Sequence, residues 1–236
     1  MRSLRDYTPA RVDLGRTGHS VPTRELLEFQ LAHAKARDAV HHPLDAHSVV
    51  LELKRESITV ATAARDRTTY LRRPDLGRQL NQESRERLQA FKSDYDAVFI
   101  IADGLSALAV HRHAVSLLNV VLAKLGNWQI APTVIVEQGR VAIGDEIGEI
   151  LGAKLAVVLI GERPGLSSPD SLGIYMTWRP RPGRTEAERN CISNIRSDGL
   201  SYELAAHKLL YLMNESRRLK LSGVQLKESA QPLLES

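Results

Sequence analysis

Cysteine is almost missing from this sequence: Cys191 stands alone among 236 residues. A disulfide within the chain is therefore excluded, and a reducing compartment suits it. Aromatic residues make up only 5% of the chain, which leaves little to stack on nucleic-acid bases. No apolar run approaches the ~18–20 residues that a membrane-spanning helix needs. The first residues, MRSLRDYTPARVDLGR, have no apolar stretch of the kind that marks a signal peptide. Internal repeats and low-complexity segments are also missing. Three catalytic signatures fail as well. H-E-x-x-H does not occur. The turn at Asp103-Gly104-Leu105-Ser106-Ala107 has one glycine where a dinucleotide fingerprint needs three, and Leu108 where a nucleophile elbow needs its last glycine.

What is present is ordinary globular composition: 43% hydrophobic and 25% charged residues. Net charge is +4 with an isoelectric point near 9.3. The basic residues are interleaved with acidic ones, as in NQESRERLQ, so no nucleic-acid partner is expected, and the charge fits a polyanionic partner surface or a phosphate-bearing ligand.

The organising stretch runs from Ala97 to Gly165. Its runs at 98–102, 133–136 and 155–160 are apolar with almost no alternation. Strands of that kind are buried on both faces, which predicts a parallel sheet covered by helices. Right-handed crossovers then bring the three strand C-termini to one edge, where open α/β sheets bind ligands. The loops expected there are Asp103-Gly104, Glu137-Gln138-Gly139-Arg140 and Gly161-Glu162-Arg163-Pro164-Gly165. The fold class is thus α/β: a Rossmann-like parallel-sheet domain over 93–236, with a mostly helical lobe over 1–92.

Elsewhere the pattern predicts an extended arm to residue 21. A helix capped by Thr23 follows, with Leu26, Leu27, Gln30, Leu31 and Ala34 on one stripe, ending at His41-His42-Pro43. Residues 58–71 read as a hairpin broken at ARDR, with a short helix over 48–56 as the alternative for the segment before it. Pro74 begins another helix, reaching about Lys92. Near the end, IYMTW is a β-prone run, Thr185 opens a short helix carrying Cys191, and SYELAAHKLLYLMNESRRLK is the last helix.

Few residues stand out chemically. Asp145, Glu146 and Glu149 read as a solvated helix face. Glu162 follows a buried strand, so it is either a ligand contact or one half of an ion pair with Arg163 or another arginine. The eight histidines offer only the close pairs His41-His42 and His111-x-His113, whose spacing does not share a helix face; no metal site is expected. Cys191 has no His or Cys nearby and reads as a small packing residue. Asp45-Ala46-His47 begins like the D-x-H-x-x-G pattern of one cobalamin-binding class, but Val50 replaces its glycine.

Several long motifs carry a family resemblance: GRTGHSVPT at 15–23, FQLAHAKARDAV at 29–40, YLRRPDLGRQL at 70–80 and IADGLSALAV at 101–110. QGRVAIGDEIGEILGA at 138–153, VVLIGERPGLSSPDSLG at 157–173 and GRTEAERNCISNIR at 183–196 carry it further. Together they resemble the small (light) subunit of ethanolamine ammonia-lyase over about residues 11–227. The resemblance implies a subunit of the enzyme that converts ethanolamine to acetaldehyde and ammonia, with radical chemistry supplied by adenosylcobalamin. It implies a large barrel-forming subunit as partner, in a hetero-oligomer, and no catalytic residue on this chain. Three cofactor contacts carry over: Val141 in the GRV motif, Glu162 in GERPG and Cys191 in RNCISN. Relatives with a longer N-terminal extension use it for solubility or for packaging in a bacterial microcompartment. The short segment here leaves the cytoplasm and the microcompartment as the two locations implied. Two rival readings stand beside this one: a stand-alone Rossmann-like enzyme for nucleotide or phosphate ligands, and a non-catalytic interaction module.

Overall fold

The structure is a computed structural model that describes residues 4–8 and 10–227. Its frame is one six-stranded sheet. The strands are β1 (Ser57–Ala61), β2 (Tyr95–Ala102), β3 (Thr133–Glu137), β4 (Ala153–Gly161), β5 (Leu172–Trp178) and β6 (Arg189–Ile195). They lie in the order β1-β3-β2-β4-β5-β6. The first four are parallel; β5 pairs antiparallel with β4, and β6 antiparallel with β5, so that β5 alone runs against the rest. The fold is thus α/β, and the three apolar runs read from the sequence are the sheet's centre.

Each central strand feeds two cores, because successive side chains point to opposite faces. Phe99, Ile101, Ile135, Val157 and Leu159 face one side. There they meet Leu117, Leu118 and Val121 of helix α6 (Val115–Lys124) and Leu209, Leu212 and Met213 of helix α8 (Tyr202–Leu219). Ile100, Val134, Val136 and Val158 face the other side. They pack on Ile143, Ile147 and Leu151 of helix α7 (Ile143–Leu151) and on Leu88 of helix α4 (Gln82–Gln89). Fully burying such aliphatic side chains stabilises the fold by about 1.5–3 kcal/mol each. Helix α7 can lie this close because a Cβ on Gly144 would sit 2.5 Å from Val158.

Several local expectations are corrected. No hairpin forms over 58–71. Strand β1 pairs with β3, with Ser57 opposite Thr133, and Asp66 instead caps helix α3 (Arg67–Arg72) through the Thr69 N–H at 2.7 Å. The helix placed at Pro74 begins later. Residues Leu76–Arg78 form one 3-10 turn, and α4 starts after Asn81, whose side chain accepts from the Ser84 N–H at 2.8 Å. That cap satisfies an orphan donor, which a proline cannot do. Helix α1 (Thr23–His41) follows Pro22, without a side-chain cap. Its Leu26, Leu27 and Leu31 are exposed, and Ala39 is its one buried residue. Helix α2 (Ala46–Leu53) realises the short-helix alternative; Asp45 caps it through the Ser48 N–H at 3.0 Å.

The segment carrying Cys191 is also different. Thr185 and Glu188 do form the capping box, but it closes only the 3-10 turn Glu186–Glu188. The chain then enters β6, where Cys191 lies opposite Tyr175. An open edge on β5 outcompetes the weak helical preference of RNCISNI.

The face read as solvated is also largely buried. Asp145 is 2% exposed and pairs with both terminal nitrogens of Arg189 at 2.7 and 2.6 Å. Arg189 also donates to the Thr177 hydroxyl at 2.9 Å. This pair ties α7 to β6 across the sheet. Glu146 accepts from Arg85 at 2.5 Å and from the Leu80 N–H at 2.7 Å; only Glu149 of the three faces solvent.

Because removing one partner strands a buried charge, Arg189→Leu should lower the unfolding free energy by roughly 3–5 kcal/mol. The Asp145→Leu/Arg189→Leu double variant should recover most of that. Urea unfolding checks both, and a single variant as stable as the parent would remove the pair's structural role.

Candidate functional site

All four parallel strands end on one edge, and a cleft opens there. It has a volume of about 420 Å³ and is lined by Tyr70, Arg140, Val141, Ile160, Glu162 and Tyr175, among others. The loops after β2, β3 and β4 all reach it.

Asp103 holds these loops in place. It follows β2, is 1% exposed, and accepts from the Gln138 N–H at 3.0 Å and the Gly139 N–H at 2.8 Å. Arg67, at the start of α3, donates to it at 3.1 Å. Arg67 also donates to the Gly104 carbonyl at 2.9 Å and the Val40 carbonyl at 2.7 Å. One carboxylate therefore joins the β2 loop, the β3 loop and the N-terminal helices. Gly104 beside it has φ +57°, and a Cβ there would lie 2.2 Å from the Gly161 carbonyl oxygen. Only glycine allows the β2 and β4 loops to meet so closely.

Tyr70 forms the floor. It is fully buried, and its hydroxyl donates to the Gly139 carbonyl at 3.0 Å. Arg67 and Arg140 both stack on its ring, with guanidinium carbons 4.8 and 4.2 Å from the centroid. Burial raises its hydroxyl pKa well above the ordinary value, with the Asp103 charge adding to the effect.

The opposite wall is the Glu162–Ser171 loop. Glu162 accepts from the Ser171 hydroxyl and, at 3.2 Å, from the Asn194 N–H. It forms no ion pair with Arg163 or any other cation among the described residues. The loop's far end is pinned by Arg112 to Asp170 at 2.6 Å and by Ser106 to the Pro169 carbonyl at 2.8 Å. Arg112 sits in a π turn, Val110–Ala114, between the helical turn α5 (Ala107–Ala109) and α6; such turns re-aim side chains within a helix.

Two of the three residues singled out from the sequence thus line the cleft directly. Val141 lies just before α7, and Glu162 directly follows β4. Cys191 is one strand farther out, opposite Tyr175, whose ring lines the cleft. Although Cys191 is exposed as a residue, partial desolvation raises its thiol pKa; a hydrogen bond from Tyr175 only partly offsets this. The thiol is thus neutral at physiological pH. Asp103 was placed at this edge by the sequence but not as the residue that joins its loops, and Arg67 and Tyr70 did not stand out. Their signal was weak: an acid immediately after a buried strand, and an R-x-x-Y pair distant from it. No group of three or more His, Cys, Asp or Glu among the described residues could hold a metal ion, and no described helix is long and apolar enough to cross a membrane.

An open α/β sheet with a loop-built cleft at its carboxyl edge belongs to the large class of proteins that cradle a ligand between strand ends. A family model for the ethanolamine ammonia-lyase light chain matches residues 1–227, and the chain belongs to that family. Similar proteins include the ethanolamine ammonia-lyase small subunit of Pseudomonas fluorescens (strain Pf0-1), 58% identical over 97% of this chain and 86% of that protein. The small subunit of Azotobacter vinelandii is 56% identical over 98% and 88%. That of Pseudomonas aeruginosa (strain LESB58) is 56% identical over 97% and 87%.

Burial raises the Asp103 pKa from 3.8 to about 6, against the pull of Arg67 and the two loop N–H groups. The folded chain therefore holds this proton more tightly than the unfolded chain. The group's contribution to stability is complete below pH 3.8 and declines as pH rises through about 6. The unfolding free energy of the parent, less that of Asp103→Asn, should fall between about pH 4 and 7. Urea titrations across that range check it, and a difference that grows with pH would contradict a raised pKa.

Proposed function

We propose that this chain is the small subunit of an adenosylcobalamin-dependent ethanolamine ammonia-lyase, and that its cleft holds part of the cofactor against a large subunit. The observation that carries this reading is the convergence of Val141 and Glu162 on one cleft at the sheet's carboxyl edge, with Cys191 beside it. The family supplies the reaction class, a carbon–nitrogen lyase; the relatives' names supply ethanolamine and a larger partner.

The residues present fit such a group. A corrinoid offers an apolar ring edge, neutral amide arms and a nucleotide tail. The cleft offers apolar Val141 and Ile160, a carboxylate acceptor in Glu162, and in Arg140 a buried Nε with no hydrogen-bond partner. When bound, the cofactor supplies radical hydrogen abstraction. This chain's part is to bind and to orient. Glu162, already held by Ser171 and Asn194, has acceptor capacity left for an amide or ribose hydroxyl. Val141 and the neutral Cys191 thiol give apolar contact and exclude water.

Two features favour a partner-dependent enzyme. At about 420 Å³, the cleft can enclose one side of a corrinoid and not the whole of it. Helix α1 also carries exposed Leu26, Leu27, Phe29 and Leu31, more apolar surface than a helix in contact only with water tends to show. In this reading the residues that contact ethanolamine belong to the large subunit, and this chain supplies cofactor contacts. The cytoplasm, or a microcompartment within it, is the setting that this reading assigns.

The test is ethanolamine-dependent acetaldehyde formation with added adenosylcobalamin, using this chain, the large subunit, and both coexpressed. Activity is expected only in the coexpressed sample; full activity of the large subunit alone would reduce this chain to a stabiliser. In the complex, Glu162→Ala should weaken cofactor retention more than subunit association. Unchanged cobalamin affinity in that variant would remove Glu162 from the site.

A further inference from the structure

Two arginines sandwich the Tyr70 ring, and their electrostatic situations are opposite. Arg67 has a counter-ion: Asp103 accepts from its Nη1 at 3.1 Å, and the Gly104 and Val40 carbonyls accept from Nη1 and Nε, although its Nη2 is buried without a hydrogen-bond partner. Arg140, on the cleft side, has no carboxylate. Among the described residues it makes no ion pair, and its one side-chain hydrogen bond is a 3.4 Å contact to the Tyr70 carbonyl. Its Nε is buried and unpartnered. Glu162, the acid in the same cleft lining, forms no ion pair with it and is held on the other wall by Ser171 and Asn194.

This guanidinium is nonetheless held firmly. Its backbone N–H donates to the Gly77 carbonyl at 2.8 Å. Its stem packs on Gly77, where a Cβ would come within 3.0 Å of the Arg140 Cγ. The Tyr70 ring supports its face at 4.2 Å. A fixed, partly desolvated cation without a counter-ion is costly unless a ligand provides one. Guanidinium geometry suits phosphate oxygens in particular.

We infer that Arg140 is a phosphate-reading residue, which pairs with the phosphodiester of the cofactor's nucleotide tail and so selects complete cobalamins over corrinoids that lack the tail. The inference rests on the cofactor reading above. The side arms of a cobalamin are neutral amides, and its phosphodiester is the one acidic group on its periphery. Arg140 thus fixes the orientation of the tail and leaves Glu162 and Val141 to meet the corrin edge.

The experiment measures binding of cyanocobalamin and of dicyanocobinamide, which lacks both phosphodiester and nucleotide, to the coexpressed complex. Visible absorbance after equilibrium dialysis reports both. Arg140→Gln should weaken cyanocobalamin binding roughly 10- to 100-fold and leave cobinamide within about twofold. Arg140→Lys, which keeps the charge without the fork, should fall between. Equal losses for both corrinoids, or no loss for cobalamin, would overturn the assignment. A second arm needs no variant: in the parent complex, added salt should weaken cobalamin binding more than cobinamide binding. An identical salt dependence would also overturn it. A parent complex that binds neither corrinoid would defeat the cofactor reading itself, whereas cobalamin binding without the Arg140 difference would defeat this inference alone.

Discussion

One buried carboxylate sets the geometry of the whole ligand edge. Asp103 gathers the N–H groups of Gln138 and Gly139 and the guanidinium of Arg67 around a single acceptor. Its ionised form is costly to bury, as the raised pKa records. The return is positional: three segments far apart in the chain meet within one hydrogen-bond shell. Buried charges often contribute little net stability, and here the carboxylate serves register. It sets where Arg140 and Val141 emerge from the β3 loop, and the Tyr70 hydroxyl, on the Gly139 carbonyl, fixes the same loop from below.

A division of labour follows across the cleft. One wall is built from cations stacked on an aromatic ring, with Arg67 ion-paired inward to Asp103 and Arg140 lining the opening. The other wall is the Glu162–Ser171 loop, closed on itself by the Glu162 N–H to the Ser171 carbonyl at 2.9 Å and tethered through Asp170 and Pro169 to the start of the helix that follows β2. Among the described residues no side-chain cluster could hold a metal, and one cysteine allows no disulfide within the chain. Hydrogen bonds to loop backbone do the positioning, so the site tolerates a chain with a single cysteine.

How much of this could be read from residues alone depended on the range of the interactions. The strands at 98–102, 133–136 and 155–160 were legible because burial on both faces leaves an unbroken apolar run. The carboxyl edge followed from their parallel order, and with it the position of Glu162, whereas Val141 came from the family resemblance. The segments at 57–61 and 189–195 were obscure for a shared reason: their strand character comes from a neighbour. Strand β1 needs β3, which lies over seventy residues later, and β6 needs the free edge of β5. The local signals at these places, the ARDR break and the Thr185 capping box, were real but marked short helical turns. Asp145 shows the converse. Its helical spacing beside Glu149 suggested solvent, and nothing nearby disclosed that Arg189, on a distant strand, would bury it. The same holds for Asp103, whose partners come from 36 residues away in both directions.

The pairing of β1 with β3 has a kinetic side. The cleft takes Tyr70 from one part of the chain, Arg140 from another and Tyr175 from a third, and none of these can be positioned before the central strands associate. Contacts of such long sequence separation form slowly, since the loop-closure entropy comes due before the contact energy is gained. The cleft therefore contributes contacts of high sequence separation, the kind that slow the folding of the chain as a whole.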